Sequence, residues 1–235
     1  MILSQDFWRK YFWAYDALIE LRTYQELLDT LIKELNVETG VKILDAGSGT
    51  GNLAVALEKI GAKVTGVDYS DQGISLHKAK NRLAVIVQQS LEEKLLFEDN
   101  LFDRIVSNNT IYTLSTEGRK KLSKEFYRVL KPGGKIVVSD IIKGYSPFKI
   151  YLHHIRTDAK ERGIIKMFIK LILFLVPTLK IFYYNFLIRR ADASGGYELY
   201  DLPSHRQFLL DAGFTNVSEG KWVFADQAVL HTGHK

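Results

Sequence analysis

Asp45, Gly47, Gly49 and Gly51 occupy alternate positions in the stretch Val41 to Asn52, and a second acid, Asp68, follows Gly47 by 21 residues. Each acid ends a short, mostly apolar run, Val41-Lys42-Ile43-Leu44 before Asp45 and Val64-Thr65-Gly66-Val67 before Asp68. Glycines let a backbone approach a ligand closely and adopt conformations denied to residues with a Cβ. A helix opening near Gly51 would aim its free N–H groups and positive dipole end into the turn. Strand, glycine turn, helix and an acid about 20 residues on make a cradle for an adenosine-type ligand. Two nucleotide patterns fail. A nicotinamide dinucleotide turn needs glycine where Asn52 stands, and a P-loop needs a Gly-Lys-Ser/Thr run that the turn lacks.

The pattern that fits is Asp-x-Gly-x-Gly-x-Gly, spelled Asp45-Ala46-Gly47-Ser48-Gly49-Thr50-Gly51. It is followed in order by Asp68, by Phe97-Glu98-Asp99-Asn100-Leu101-Phe102-Asp103, and by Glu125-Phe126-Tyr127-Arg128-Val129-Leu130-Lys131-Pro132-Gly133-Gly134. On these segments the chain resembles the class I S-adenosylmethionine-dependent methyltransferases, over residues 40–142 and again over 202–234. The resemblance implies S-adenosylmethionine as cofactor. It places Asp68 on the ribose hydroxyls, Tyr69 on the adenine ring, and the Gly47 and Gly49 backbone at the methionine part. Asp45 acts either by tying down the turn or on the cofactor's amino group. Ser90 and Leu91 fall where the family carries an acid and an apolar residue around the adenine. Asn108 falls at the sulfonium end, where its backbone is the expected contact.

A sulfonium methyl is already a strong electrophile, so the protein mainly has to align an acceptor and exclude water. Only some acceptors need a general base. Tyr112, His154 and Tyr15 are the candidates for that role, with His153 and Tyr11 beside them. The fourth strand ends in Asn108-Asn109-Thr110-Ile111, without the Asn/Asp-Pro-Pro-aromatic signature of amide and base-amino methylation and without the aspartates of the metal-dependent catechol type. His153 and His154 are adjacent and do not share a helix face, so no metal site is expected.

These residues need a scaffold. The chain has 235 residues, 46% hydrophobic and 25% charged, which suits one larger domain or one domain with an insertion. There are no cysteines. That excludes disulfides and thiolate chemistry and fits a reducing compartment. No secretory signal is visible at the N-terminus. Apolar runs at 41–46, 63–68, 83–88, 102–107 and 135–142 alternate with amphipathic helical stretches at 51–60, 71–81 and 116–130, the last closed by Lys131-Pro132-Gly133-Gly134. The runs imply a parallel sheet covered on both faces. A helix over 204–212 precedes Phe214-Thr215-Asn216-Val217 and Ala228-Val229-Leu230-His231-Thr232, expected to pair as an antiparallel hairpin. Together with the resemblance, the expected fold is α/β: a doubly wound, mostly parallel seven-stranded Rossmann-like sheet with a C-terminal hairpin, in a single domain spanning 1–235.

Two segments fall outside that alternation. Residues 1–39 read as a helical lid, with Phe7, Trp8, Tyr11, Phe12, Trp13 and Tyr15 on its first helix and the stripe Leu27, Leu28, Leu31, Ile32 and Leu35 on its second. Residues 143–195 read as a helical insertion or cover. Between 143 and 190 there are ten Lys and Arg against Asp158 and Glu161, a net +8 in a chain whose total is +5. Interleaved are Met167-Phe168-Ile169, Leu171 to Val176 and Ile181 to Tyr184. The longest uncharged run, 171–179, is far short of the roughly 20 residues that span a bilayer. A basic, apolar helical segment suits a membrane interface; a pocket cover and an oligomer contact are the other readings. Nucleic acid is a poor fit, because the charges alternate with aliphatic runs rather than stacking platforms. The expected acceptor is therefore a hydrophobic small molecule or lipid met at a membrane surface, and the expected location is the cytoplasm with peripheral membrane attachment. A soluble-metabolite methyltransferase with the insertion as lid, and a cofactor-binding protein without transfer, are the alternatives.

Overall fold

The computed structural model describes residues 4–193 and 199–235. Residues 1–3 of the expected lid and 194–195 of the expected insertion lie outside that range. In chain order the helices are α1 Gln5–Tyr15, α2 Arg22–Leu35, α3 Asn52–Lys59, α4 Asp71–Lys80, α5 Thr116–Val129, α6 Pro147–Arg162, α7 Ile164–Leu173, α8 Leu175–Ala193 and α9 Leu202–Asp211. The strands are β1 Lys42–Ala46, β2 Lys63–Asp68, β3 Val85–Gln88, β4 Phe102–Asn108, β5 Leu130–Ile141, β6 Lys221–Val223 and β7 Ala228–His234. They form one seven-stranded sheet in the order β3-β2-β1-β4-β5-β7-β6. The first five strands are parallel, and β7 is antiparallel to both β5 and β6.

Side-chain alternation along the strands builds two cores, one on each face. Ile43, Val64, Val106 and Val137 point to the face covered by α2 and α3, where they meet Leu27, Leu31, Leu53 and Leu57. Leu44, Val67, Ile105, Ile136 and Val138 point to the other face, against Leu122 and Phe126 of α5 and Phe208 and Leu209 of α9. The chain lays down β1, β2 and β3 outward in one direction, then returns to add β4 on the other side of β1. The connections leaving β1 and β4 therefore diverge, and a crevice opens at their carboxyl ends. The glycine turn leaves one side of it and Asn108 the other.

Several boundaries differ from the sequence expectation. The first helix, expected from Asp6 to about Leu21, stops at Tyr15, and a 3-10 turn over Asp16–Glu20 redirects the chain into α2. The apolar run at 83–88 becomes a strand only from Val85. It is the sheet edge, so Leu83 and Val85 are exposed rather than covered on both faces. Lys131-Pro132-Gly133-Gly134 does not end a helix. It joins the start of β5, opposite an irregularity in the pairing with β4. The hairpin arm facing β7 is Lys221–Val223, not 214–217, where only Thr215 bridges to His234. Lys221 and Trp222 are exposed, so that arm has no apolar period to announce it.

Candidate active site

Gly47, Gly49 and Gly51 all have positive φ, which lets the chain coil tightly between β1 and α3. A Cβ on Gly47 would fall 2.2 Å from Thr110, and one on Gly51 would fall 2.1 Å from the buried ring of His77. Neither space admits a side chain. The turn is held to β2 by the Gly47 and Ser48 N–H groups donating to Val67 O, at 2.8 and 3.0 Å. Asp68, at the end of β2, accepts from Gly49 N–H through Oδ2 (2.7 Å) and from Ser70 N–H through Oδ1 (2.8 Å). Burial raises its carboxyl above the ordinary range, opposed by those backbone donors. Each oxygen has a second lone pair, so the carboxylate can fix the turn and still accept from a ligand's hydroxyls.

Around this turn lies a cleft of about 840 Å³, counted to its open mouth. Asp45, Gly47, Gly49, Asp68, Tyr69, Leu91 and Asn108 all line it. Ser90 does not; its Oγ accepts from Glu92 N–H instead. The chemistry of the lining fits an adenosine sulfonium with an amino-acid tail. Asp45 Oδ2, Ser48 Oγ, Thr50 Oγ1, Asn108 Oδ1 and Trp8 Nε1 are buried in the wall without hydrogen-bond partners in the protein. Orphaned polar atoms at this density offer partners to a ligand's donors and acceptors. Asp45 is the most telling. Burial, then the charges of Asp68 and Glu58, push its carboxyl up to about 7, the response of an acid that lacks a cation.

The turn after β4 closes the opposite wall. Asn109, at φ 52, donates its N–H to Ser139 O and accepts from Ile141 N–H through Oδ1. Thr110 N–H donates to Asp140 Oδ1 at 2.8 Å, and Thr110 Oγ1 lies 3.3 Å from Gly47 O. Asp140 Oδ2 is 3.2 Å from His205 Nε2, whose Nδ1 lies 2.9 Å from His231 Nδ1. Arg119, buried against the Tyr200 ring, donates to the carbonyls of Tyr112 and Leu114. Buried polar groups from β5, α5 and α9 thus hold the 108–114 loop in register with the glycine turn.

α1 forms the roof. Phe12 packs on the turn, its ring 3.2 Å from where a Cβ on Gly49 would lie. Phe7 and Tyr11 stack edge-on against Tyr184 of α8, with ring centroids 5.5 and 5.8 Å apart, so the lid and the insertion share one aromatic cluster. Beyond that cluster lies a second cavity, of about 780 Å³ counted to its open mouth. Its walls come from α1, α6, α8 and the sheet edge, including Tyr145, Ile150, Phe174, Ile181 and Phe224. Tyr11, Tyr15, Asn109 and Tyr112 line both cavities.

The base candidates separate sharply. Tyr112 and Tyr15 stand in the shared wall. Burial holds the Tyr15 phenol well above its usual value, with Tyr24 adding to the shift, so it stays protonated and faces Tyr24 Oη at 3.2 Å. A buried phenol of this kind donates hydrogen bonds rather than removing protons. His154 is not brought to either cavity. Its Nδ1 accepts from Arg22 N–H at 3.1 Å, tying α6 to α2, and burial together with Lys170 pushes its pKa down to about 4. His153 turns outward to Glu26. Sequence reasoning passed over Trp8, Phe12, Asn52 and Thr110 as site residues. The crowding of rings on the first helix was the signal for two of them; Thr110 carried none.

Known proteins agree with this geometry. A family model described as a methyltransferase domain matches residues 44–138. Residues 44–138 are thus similar to a methyltransferase domain. Phosphoethanolamine N-methyltransferase 1 of Zea mays is 28% identical over 205 residues, 82% of this chain and 32% of that protein. The chain thus spans about a third of the length of the first curated relatives it matches. Demethylmenaquinone methyltransferase of Chlorobaculum tepidum is 38% identical over 103 residues, 43% of this chain and 41% of that one. The solved structure of Haemonchus contortus phosphoethanolamine N-methyltransferase 2, in complex with S-adenosyl-L-methionine, shares the fold at a TM-score of 0.60. Its identity is 18%, covering 89% of this chain and 52% of that one.

Proposed function

We propose that the protein transfers the methyl group of S-adenosylmethionine to a hydrophobic small-molecule or lipid acceptor seated in the second cavity, working at a membrane surface. The observation that carries this reading is the wall common to both cavities, Tyr11, Tyr15, Asn109 and Tyr112. Donor and acceptor held on its two sides meet there and nowhere else. The cofactor supplies an electrophilic methyl on a positively charged sulfur. The chain's own work is to hold, align and dry. Asp68, Asp45 and the glycine turn fix one side, and the electron-rich faces of the wall tyrosines suit a neighbouring cation. Burial of the wall keeps water from competing for the methyl.

The lining of the second cavity sets the acceptor's class. It is built from aromatic and aliphatic side chains, with Asn109, Asn185 and Thr178 as its amide and hydroxyl groups besides the tyrosines. Among the described residues the lining contains no Lys, Arg, Asp or Glu. A phosphate such as that in the substrate named for the maize relative would be buried there without a cation, which is strongly unfavourable. A neutral apolar ring or chain, in keeping with the quinone named for the Chlorobaculum relative, fits instead.

The test is transfer of a deuterated methyl from labelled S-adenosylmethionine, run separately on lipid and aqueous extracts and read by mass spectrometry. Label should appear in a product that partitions into organic solvent, and Asp68→Ala should abolish it by removing the ribose contact. Label confined to water-soluble products would refute the acceptor class. Cofactor binding without labelled product in either extract would refute transfer.

A further inference from the structure

The helices over the second cavity present a second apolar surface, on their outside. Ile164, Ile165, Phe168, Ile169, Ile172 and Leu173 of α7 and Leu175, Val176 and Leu179 of α8 are all more than half exposed. An apolar face this continuous on a water-facing protein marks a contact site. At the corner between the two helices the inner and outer surfaces come from alternate residues. Leu173, Leu175, Val176 and Leu179 face out, while Phe174, Pro177 and Thr178 line the cavity. Only one layer of side chains separates the cavity from the outside here.

Resting on the acceptor class proposed above, we propose that the α7–α8 corner docks into the headgroup region of an anionic bilayer and that the acceptor passes into the cavity there, directly from the lipid. Charge selects this occupant. Residues 163–191 contain Lys166, Lys170, Lys180, Arg189 and Arg190 and no Asp or Glu. Lys170 is committed inward, where it donates to Glu20 O. Lys166, Lys180, Arg189 and Arg190 are exposed. The Lys180 ammonium lies 4.1 Å from the ring centre of Trp13, itself 53% exposed, a pairing of aromatic and cation suited to a headgroup layer. No helix among the described residues is long and apolar enough to cross a membrane, and the helical run is interrupted at Phe174, between α7 and α8. The corner therefore lies in the interface plane.

The chain contains no cysteine, so single cysteines can be labelled without background. An environment-sensitive dye would be placed at Leu173→Cys and Val176→Cys, at Thr178→Cys on the inner side, and at Lys120→Cys on α5 as the remote control. Each variant is first shown to bind S-adenosylmethionine as the unmodified chain does. With vesicles of phosphatidylcholine and phosphatidylglycerol, dyes at 173 and 176 should shift to the blue and be quenched by brominated acyl chains. The dye at 178 should be quenched as well, and the dye at 120 should not respond. Vesicles of phosphatidylcholine alone should give much weaker effects. Lys166→Gln and Lys180→Gln should each weaken partition about fivefold.

Three results would overturn the proposal. The dyes at 173 and 176 could shift with protein concentration before any vesicle is added, which assigns the face to a second copy of the chain. All four positions could ignore vesicles. The outer dyes could respond while 178 stays unquenched, which removes the portal. Labelled methyl still reaching a detergent-dispersed lipid extract in any of these cases would leave the proposed transfer to a hydrophobic acceptor standing, without its membrane setting.

Discussion

Asp45 is buried at the floor of the cleft, with one carboxylate oxygen unpartnered and its pKa raised to about 7 by burial, Asp68 and Glu58. In the unfolded chain it titrates near 4. Between those values the folded state holds the proton more tightly, so stability falls as pH rises from about 4 to about 7. Cofactor binding has the opposite slope, because an ammonium group pairs only with the ionised form. Affinity for S-adenosylmethionine should therefore climb as pH rises toward 7, by up to roughly tenfold per unit, and level off above it. Calorimetry across that range checks this, and Asp45→Asn should give a flat, weak profile. At this scale the sequence was informative where a residue's type is demanded by backbone geometry. Asp68 and the glycines were legible because only an acid at a strand end and residues without a Cβ do that work. His154 was misread because a histidine's type does not reveal whether its ring meets a cavity or a helix N–H.

The glycine turn works as a unit with its neighbours, and its strictness can be measured. Gly51 has φ 77, and a methyl there would meet the His77 ring. His77 is buried, its pKa pushed down to about 4 by burial and then by Lys80, and α4 holds it in place. Gly51→Ala should lower stability by about 3 kcal/mol, from overpacking and left-handed backbone strain together. Denaturant unfolding reads that directly. Gly40→Ala serves as the control: its φ is similarly positive but nothing lies within 4 Å of the new methyl, so only the strain should remain. Helices and central strands were legible from their periods. The 3-10 turn at Asp16–Glu20 and the short arm Lys221–Val223 were not, since each is fixed by tertiary contact rather than by a pattern of its own. The Asp140–His205–His231 chain was equally hidden, joining residues that lie far apart in sequence.

Across the whole molecule the division of labour follows the sheet. The switch between β1 and β4 makes the donor side, common to the family in fold. α1 and the helices from 147 to 193 enclose the second cavity, proposed above to seat the acceptor, through a shared aromatic cluster centred on Tyr11 and Tyr184. The basic, apolar character of 143–190 pointed to this region's importance from sequence. Its enclosure of a cavity next to the donor cleft could be seen only once α1 and α8 were placed against each other. The most direct measurement is methyl transfer by Ile181→Trp, at a position on α8 that lines the second cavity and not the donor cleft. The account predicts S-adenosylmethionine affinity within about twofold of the unmodified chain, a shift well under 1 kcal/mol, with labelled product from lipid extract largely lost. Undiminished transfer by that variant would show that the acceptor does not use this cavity and would contradict the account.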